Sequence, residues 1–266
     1  MRSSPDIHRG VAESMTRSRV LRLARLALAT PIACVLVGIS RVLAPLYTIR
    51  FGAMKSDRVG HFALETELTL AEQQVGIRPV PRRGMDIWYA PRPVSNAVVA
   101  RLWRRSVRMW PAWLMGPVYR VNSRIPGTPR HTIPSSTRTV LDVHNLLDRV
   151  PPRVAFTARE LALGRAAMRD LGVPDGVPVV PLILRDAAFT NAVFPGKDMS
   201  YHDYRNCDID DMKAAARYLA DSGYAVLRMG AVVEKPFHVD RSLVIDYASS
   251  GARTEFLDVY IAAICA

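Results

Sequence analysis

LILRD at residues 182–186, MSYHDYRNCDIDD at 199–211 and AVLRMG at 225–230 are the runs that decide the fold of this chain. The first and third are apolar segments of strand length, each interrupted by ionisable groups at its carboxyl end. Between them DIDDMKAAARYLADSG (208–223) is helical in composition, with aspartates at its start and glycine at its end. Strand, helix, strand in that order reads as a βαβ unit with parallel strands. In such open sheets ligands bind beyond the carboxyl ends of the strands. Arg185, Asp186, Arg228 and Gly230, with Tyr201, His202, Arg205 and Asn206 between them, are therefore expected to form one anion-facing site. Guanidinium suits that task because its planar fork meets two phosphate oxygens at once. Structural ion pairs, such as Arg185 with Asp186 or Arg205 with Asp203, are the plainer account of the same charges. Tyr201, His202 and Tyr204 either stack on a base or sugar or brace the loop.

The same rhythm continues on both sides. TARELALGRAAMRDLGV (157–173) is a helix with a capping box from Thr157 to Glu160, a stop at Gly172 and Pro174 beyond it. SLVIDYA (242–248) reads as a strand and TEFLDVYIAAICA (254–266) as a helix. Nearer the start, LYTIRFG (46–52) and MDIWYAP (85–91) read as strands. ALETELTLAEQQV (63–75) and VSNAVVARLWRRSVRMW (94–110) read as helices, the second beginning at Ser95 or Asn96. Residues 111–155, rich in Pro, Gly, Arg and Ser, read as loops. A chain of 266 residues has length for two modest domains. The expected class is α/β, with two Rossmann-like domains over 46–155 and 177–266 and a linker helix over 156–176.

Charge is distributed unevenly. Residues 1–130 carry 21 Lys or Arg against 7 Asp or Glu, and residues 131–266 carry 15 against 17, so the whole excess of +12 lies in the first half. A base-rich codon bias accounts for Arg over Lys but not for this placement. One-sided positive charge marks a surface that meets lipid headgroups, nucleic acid or a phosphorylated substrate. Residues 1–18 lack an apolar period and are expected to be disordered. In the segment 19–45, Arg19, Arg22 and Arg25 precede an uncharged run from Leu26 to Ile39, which Ser40 and Arg41 interrupt. A spanning helix needs about 20 apolar residues, and no signal-peptide cleavage pattern follows. The expectation is a helix lying on or dipping into an anionic leaflet, with a buried N-terminal helix as the alternative. The basic helix of Arg101, Arg104, Arg105 and Arg108 lacks a recognition module, so nucleic acid is not an expected partner.

No dinucleotide fingerprint, Walker A loop, H-E-x-x-H or G-x-S-x-G occurs, which disfavours common dehydrogenases, ATPases and hydrolases. Asp208-Ile209-Asp210 has the D-x-D form of some metal–diphosphate sites, yet it starts a helix, where aspartates cap free N–H groups. Cys34, Cys207 and Cys265 have no metal-site spacing and read as buried or incidental thiols. No metal is expected. His61, in Arg58-Val59-Gly60-His61-Phe62, sits between the first strand and first helix. Gly60 permits close backbone approach there, and the imidazole can take a proton from an acceptor hydroxyl or, equally, fix a loop.

Read together, these residues resemble a family of bacterial glycosyltransferases of surface polysaccharide synthesis. The resemblance rests on I-R-F-G at 49–52, R-V-G-H-F-A at 58–63 with T-E at 66–67, F-T-x-x-E at 156–160 and L-R-D-x-x-F at 184–189. It continues in Y-H-D-Y-R-N-x-D-I at 201–209, L-R-M-G at 227–230 and I-D-Y-A-S-S-G at 245–251, and covers most of residues 45–266. It implies a GT-B enzyme: two Rossmann-like domains facing across a cleft, a nucleotide-sugar as co-substrate, no further cofactor and no obligatory metal. The acceptor side would hold His61 as catalytic base with Arg58, Gly60 and Glu67. The donor side would hold Arg185, Asp186, Tyr201, His202, Arg205, Asn206, Arg228 and Gly230. A glycan or lipid-linked acceptor is what the same resemblance implies, while the basic flanks of the 19–45 segment give the expected anionic membrane surface and a place on the cytoplasmic face of the inner membrane. Members of this family continue past the counterpart of Ala266, so a truncated donor domain is expected, and a non-catalytic nucleotide-sugar or glycan-binding remnant is the alternative.

Overall fold

The computed structural model describes residues 28–134, 141–193 and 195–265. The expected disorder over 1–18 and the basic run at Arg19, Arg22 and Arg25 lie outside the described residues. The chain divides into two compact units, Met1–Ala155 and Phe156–Ala266.

In the first unit helix α1 covers 28–43, followed by β1 (Thr48–Ala53), α2 (Val59–Gln74), β2 (Gly84–Tyr89), α3 (Ala97–Ser106) and α4 (Ala112–Asn122). β1 and β2 are parallel, in register from Thr48↔Gly84 to Ala53↔Tyr89. Parallel neighbours need a crossover, and α2 supplies it. Phe51, Ile87 and Tyr89 pack with Ala33 and Val37 of α1 and with Met115 and Val118 of α4. The buried indole of Trp103 on α3 donates Nε1–H to the Phe62 carbonyl at 2.9 Å, which ties α3 to α2. Asn96 caps α3, its Oδ1 accepting from the N–H groups of Val98 and Val99 at 2.9 and 3.0 Å. Such a cap contributes about 1 kcal/mol.

Two elements depart from expectation here. The helix read as far as Trp110 stops at Ser106, and the chain turns extended to run beside β2. Trp88 N–H donates to the Arg108 carbonyl and Trp110 N–H to the Trp88 carbonyl, both at 2.9 Å. The outer edge of β2 offers backbone groups that must be satisfied once covered, and pairing them outweighs another helical turn. Helix α4 forms where loops were expected. Pro111 at its N-cap fits a helix start, whereas Pro117 inside it removes a backbone bond. Burial of Met115 and Val118 against the sheet outweighs that loss.

The second unit runs α5 (Ala158–Asp170), β3 (Val179–Ile183), α6 (Ala187–Val193), α7 (Lys213–Asp221), β4 (Ala225–Met229), β5 (Val244–Ile245) and α8 (Glu255–Ile264). Its sheet has the order β3-β4-β5 with both pairings parallel. Alternation along the central strand β4 supplies two cores. Ala225 and Leu227 pack with Met168 of α5 and with Leu257, Tyr260 and Ile261 of α8. Val226 packs with Ala216 of α7, Ile209, Phe237 and Val239. Helices therefore cover both faces, as parallel strands require. The Thr157–Glu160 capping box is present at the start of α5. This helix, expected as a linker, is built into the second unit through Met168. The short α6 had no counterpart in the reading of the sequence.

The fold is thus mixed α/β with small parallel sheets. Among the described residues no helix is long and apolar enough to cross a membrane. Cys34, Cys207 and Cys265 are exposed free thiols, not buried ones.

Candidate functional site

Candidate chemistry gathers where the strands of each unit end. In the first unit the segment after β1 enters α2 earlier than its composition suggests. Val59, Gly60 and His61 already form the first turn, with Arg58 as an extended N-cap. His61 is therefore a helical residue, one turn before Glu65 and on the same face. His61 Nδ1 lies 2.6 Å from Glu65 Oε1, and Lys55 Nζ lies 2.8 Å from the same oxygen. The Glu65 carboxylate is 5% exposed and the imidazole 31%. A buried carboxylate accepting from Nδ1–H selects the neutral tautomer whose Nε2 can take a proton. Arg58 and Gly60 are exposed beside it, and a side chain added at Gly60 would meet open space.

Glu67, expected on the same side, lies six residues on and so on another face of the helix. It is buried, its Oε1 accepting the Arg153 N–H at 2.9 Å, while Oε2 is buried without a partner. Burial pushes its carboxyl above the ordinary value, against the pull of Arg153. Its place is under the helix, not with His61.

In the second unit Arg185 and Asn206 line a cavity of about 250 Å³ beyond the carboxyl end of β3, together with Lys197, Ser200, Asp198 and Asp203. The Arg185 carbonyl accepts the Cys207 N–H at 2.9 Å, which closes the polar loop onto the strand end. Asn206 Nδ2 donates to Asp203 Oδ1 at 3.0 Å, and its Oδ1 is buried without a partner. Tyr201 lies against His202, ring centroids 4.0 Å apart. Tyr201, Tyr204 and Arg205 are exposed. Loop and cavity thus share one 3₁₀ turn, Ser200–Arg205.

Arg228 and Asp186 differ from expectation. Arg228 lies within β4, not after it, and is 3% exposed. Its Nη1 is 3.3 Å from Asp246 Oδ1 and its Nη2 3.9 Å from Asp186 Oδ2. Asp186 also accepts the N–H groups of Ala188 and Glu234, each at 3.0 Å, and Asp246 accepts the Phe237 N–H at 2.9 Å. A central strand covered on both faces buries its guanidinium, and a buried cation requires carboxylates around it. The three residues brace the loops at the sheet edge instead of facing an anion. Gly230 follows, at a position where a Cβ would overlap the Val233 side chain.

Asp208 caps the turn that leads into α7, its Oδ1 accepting the Asp210 N–H at 2.8 Å. Lys235 Nζ stands 2.6 Å from both Asp208 and Asp210 and holds their carboxyls below the ordinary value. Among the described residues no group of three His, Cys, Asp or Glu is placed to hold a metal. Glu65, Lys55, Lys197 and Asp246 were missed in the sequence. The i, i+4 spacing of His61 and Glu65 was the available signal, hidden by placing the helix start after the histidine. Comparison with protein-family models, curated proteins and solved structures finds no match to this chain.

Proposed function

We propose that the chain is a glycosyltransferase of the GT-B type, moving a sugar from a nucleotide-sugar to a glycan or lipid-linked hydroxyl in bacterial surface polysaccharide synthesis. The His61–Glu65 pair carries this reading, since a carboxylate-oriented imidazole at a strand's carboxyl end is the equipment for activating a hydroxyl. Nε2 takes the acceptor's proton as its oxygen bonds the anomeric carbon. The bond from that carbon to the diphosphate breaks, and the electron pair leaves with the nucleoside diphosphate. Within the second unit, Arg185 and Lys197 line a polar cavity whose positive charge suits a diphosphate. The likeness of the L-R-D and Y-H-D-Y-R-N segments to the glycosyltransferase family supports the donor assignment.

The test is release of nucleoside diphosphate from a panel of UDP-, GDP- and dTDP-sugars, with a bacterial lipid extract as acceptor. His61→Ala is expected to lose about 100-fold or more in turnover, and Arg185→Ala to raise the donor KM as well as lower turnover. Undiminished turnover in both variants overturns the assignment. Binding without transfer is the second reading, and the inward commitment of Arg228 to Asp186 and Asp246 favours it. It predicts calorimetric binding of a nucleotide-sugar that Arg185→Ala abolishes, with no product released by any form.

A further inference from the structure

Helix α1 is built inside out. Its buried positions are Ala29, Ala33, Val37 and Ser40, with Ala44 just beyond, and these small side chains bring the helix close against the first unit. The outward positions Leu28, Ile32, Val35, Ile39 and Val42, continued by Leu46, are each between 46% and 80% exposed. Spaced by three or four residues, they make one apolar stripe on the outer face. From residue 28 to residue 40 there is no charged side chain, and Arg41 turns inward, its Nη2 2.7 Å from Asn122 Oδ1. At about 1.5 Å per residue the helical part of the stripe, residues 28–43, is about 24 Å long. A continuous apolar surface of that length marks an interaction face.

Its end shows what covers it. Leu46 is also a wall of a cavity of about 630 Å³ that Arg82, Arg83 and Arg130 line, together with Thr48 and Arg50. Arg82, Arg83 and Arg130 are exposed, and among the described residues no carboxylate lines the cavity. Arg50, which also lines it, is buried and already paired with Asp86 at 2.7 Å. An uncharged aliphatic stripe running into an acid-free arginine cavity matches one kind of partner: acyl chains beside anionic headgroups. A second copy of the chain would bring the same cations to the same place and be repelled.

We infer that the outer face of α1 and the Arg82–Arg83–Arg130 cavity form one docking surface for an anionic phospholipid bilayer, with stripe residues at the acyl boundary and a lipid phosphate in the cavity. The sequence places Arg19, Arg22 and Arg25 just ahead of the stripe, adding charge of the same sign. Arginines near an anionic leaflet each strengthen binding several-fold and lose effect in salt. The surface is independent of transfer chemistry, so either assignment can fail without the other.

The test is flotation of the full-length chain with vesicles of phosphatidylcholine alone and of phosphatidylcholine with about one-third phosphatidylglycerol. Binding is expected to the anionic vesicles only and to weaken in 0.5 M salt, a concentration of order several times physiological. Arg82→Glu with Arg83→Glu, and separately Val35→Asp with Ile39→Asp, are each expected to weaken it about 10-fold or more. All four positions are exposed, so unchanged thermal melting shows that the variants remain folded. Equal binding to neutral vesicles, or full binding by either double variant, overturns the proposal. So does a dimer in sedimentation that Val35→Asp with Ile39→Asp dissociates while vesicles stay unbound, for the stripe would then belong to a second copy.

Discussion

Arg228 and His61 show how much a single residue's environment adds to its type. In the sequence each is open to two readings, a group facing a ligand or one that braces the fold. The helix start at Val59 gave His61 a buried carboxylate partner one turn on. Burial in a central strand gave Arg228 two carboxylates, which removed it from the list of anion ligands. The consequence is measurable. Arg228→Met leaves Asp186 and Asp246 without their shared cation beneath the sheet edge, and breaking a buried pair from one side costs about 3–5 kcal/mol. Urea unfolding is expected to show that loss, and Arg228→Met combined with Asp246→Asn to recover part of it. A loss below about 1 kcal/mol would mean that the cluster is hydrated and open.

At the scale of elements, period and caps were legible and packing partners were not. The capping box at Thr157, a cap for α3 at Ser95 or Asn96 and the apolar run of β4 are local features that the sequence carries openly. The extended segment at Met109 and helix α4 are decided by what β1 and β2 leave uncovered, which no window of sequence reveals. Gly164 of α5 belongs to the second kind. In the sequence it is a helix-weakening residue, yet a Cβ there would overlap the Tyr260 ring of α8. Gly164→Val is expected to lower the stability of the second unit by about 1–3 kcal/mol despite the loss of a poor helix former. Gly60→Ala, in open space at the start of α2, is expected to be neutral or to gain up to about 1 kcal/mol. Calorimetric melting of the two variants reads both signs; the packing account fails if Gly164→Val melts no lower than the unaltered chain.

For the molecule as a whole, the one-sided charge was visible from composition, but its pH response depends on burial. His131 is 1% exposed, with Nδ1 2.7 Å from the Ile49 carbonyl, and burial pushes its pKa below the ordinary 6.5. The unfolded chain then binds a proton that the folded chain resists. Stability is complete above about pH 6.5 and falls as pH drops towards the folded value. Unfolding free energy measured at pH 7.5 and at pH 5, each about a unit or more from that midpoint, is expected to differ by less in His131→Gln; an unchanged difference removes His131 as the cause. The parallel order of the principal strands and the basic character of the first half follow from the chain alone, because hydrophobic period, caps and charge counts are local quantities. Which charged groups brace the fold, which stay exposed and which apolar helix face looks outward were decided only by tertiary structure. Those outcomes depend on what covers each side chain, and the groups that cover Arg228, Glu65 and His131 include partners 18 and 82 residues away as well as one 4 residues away.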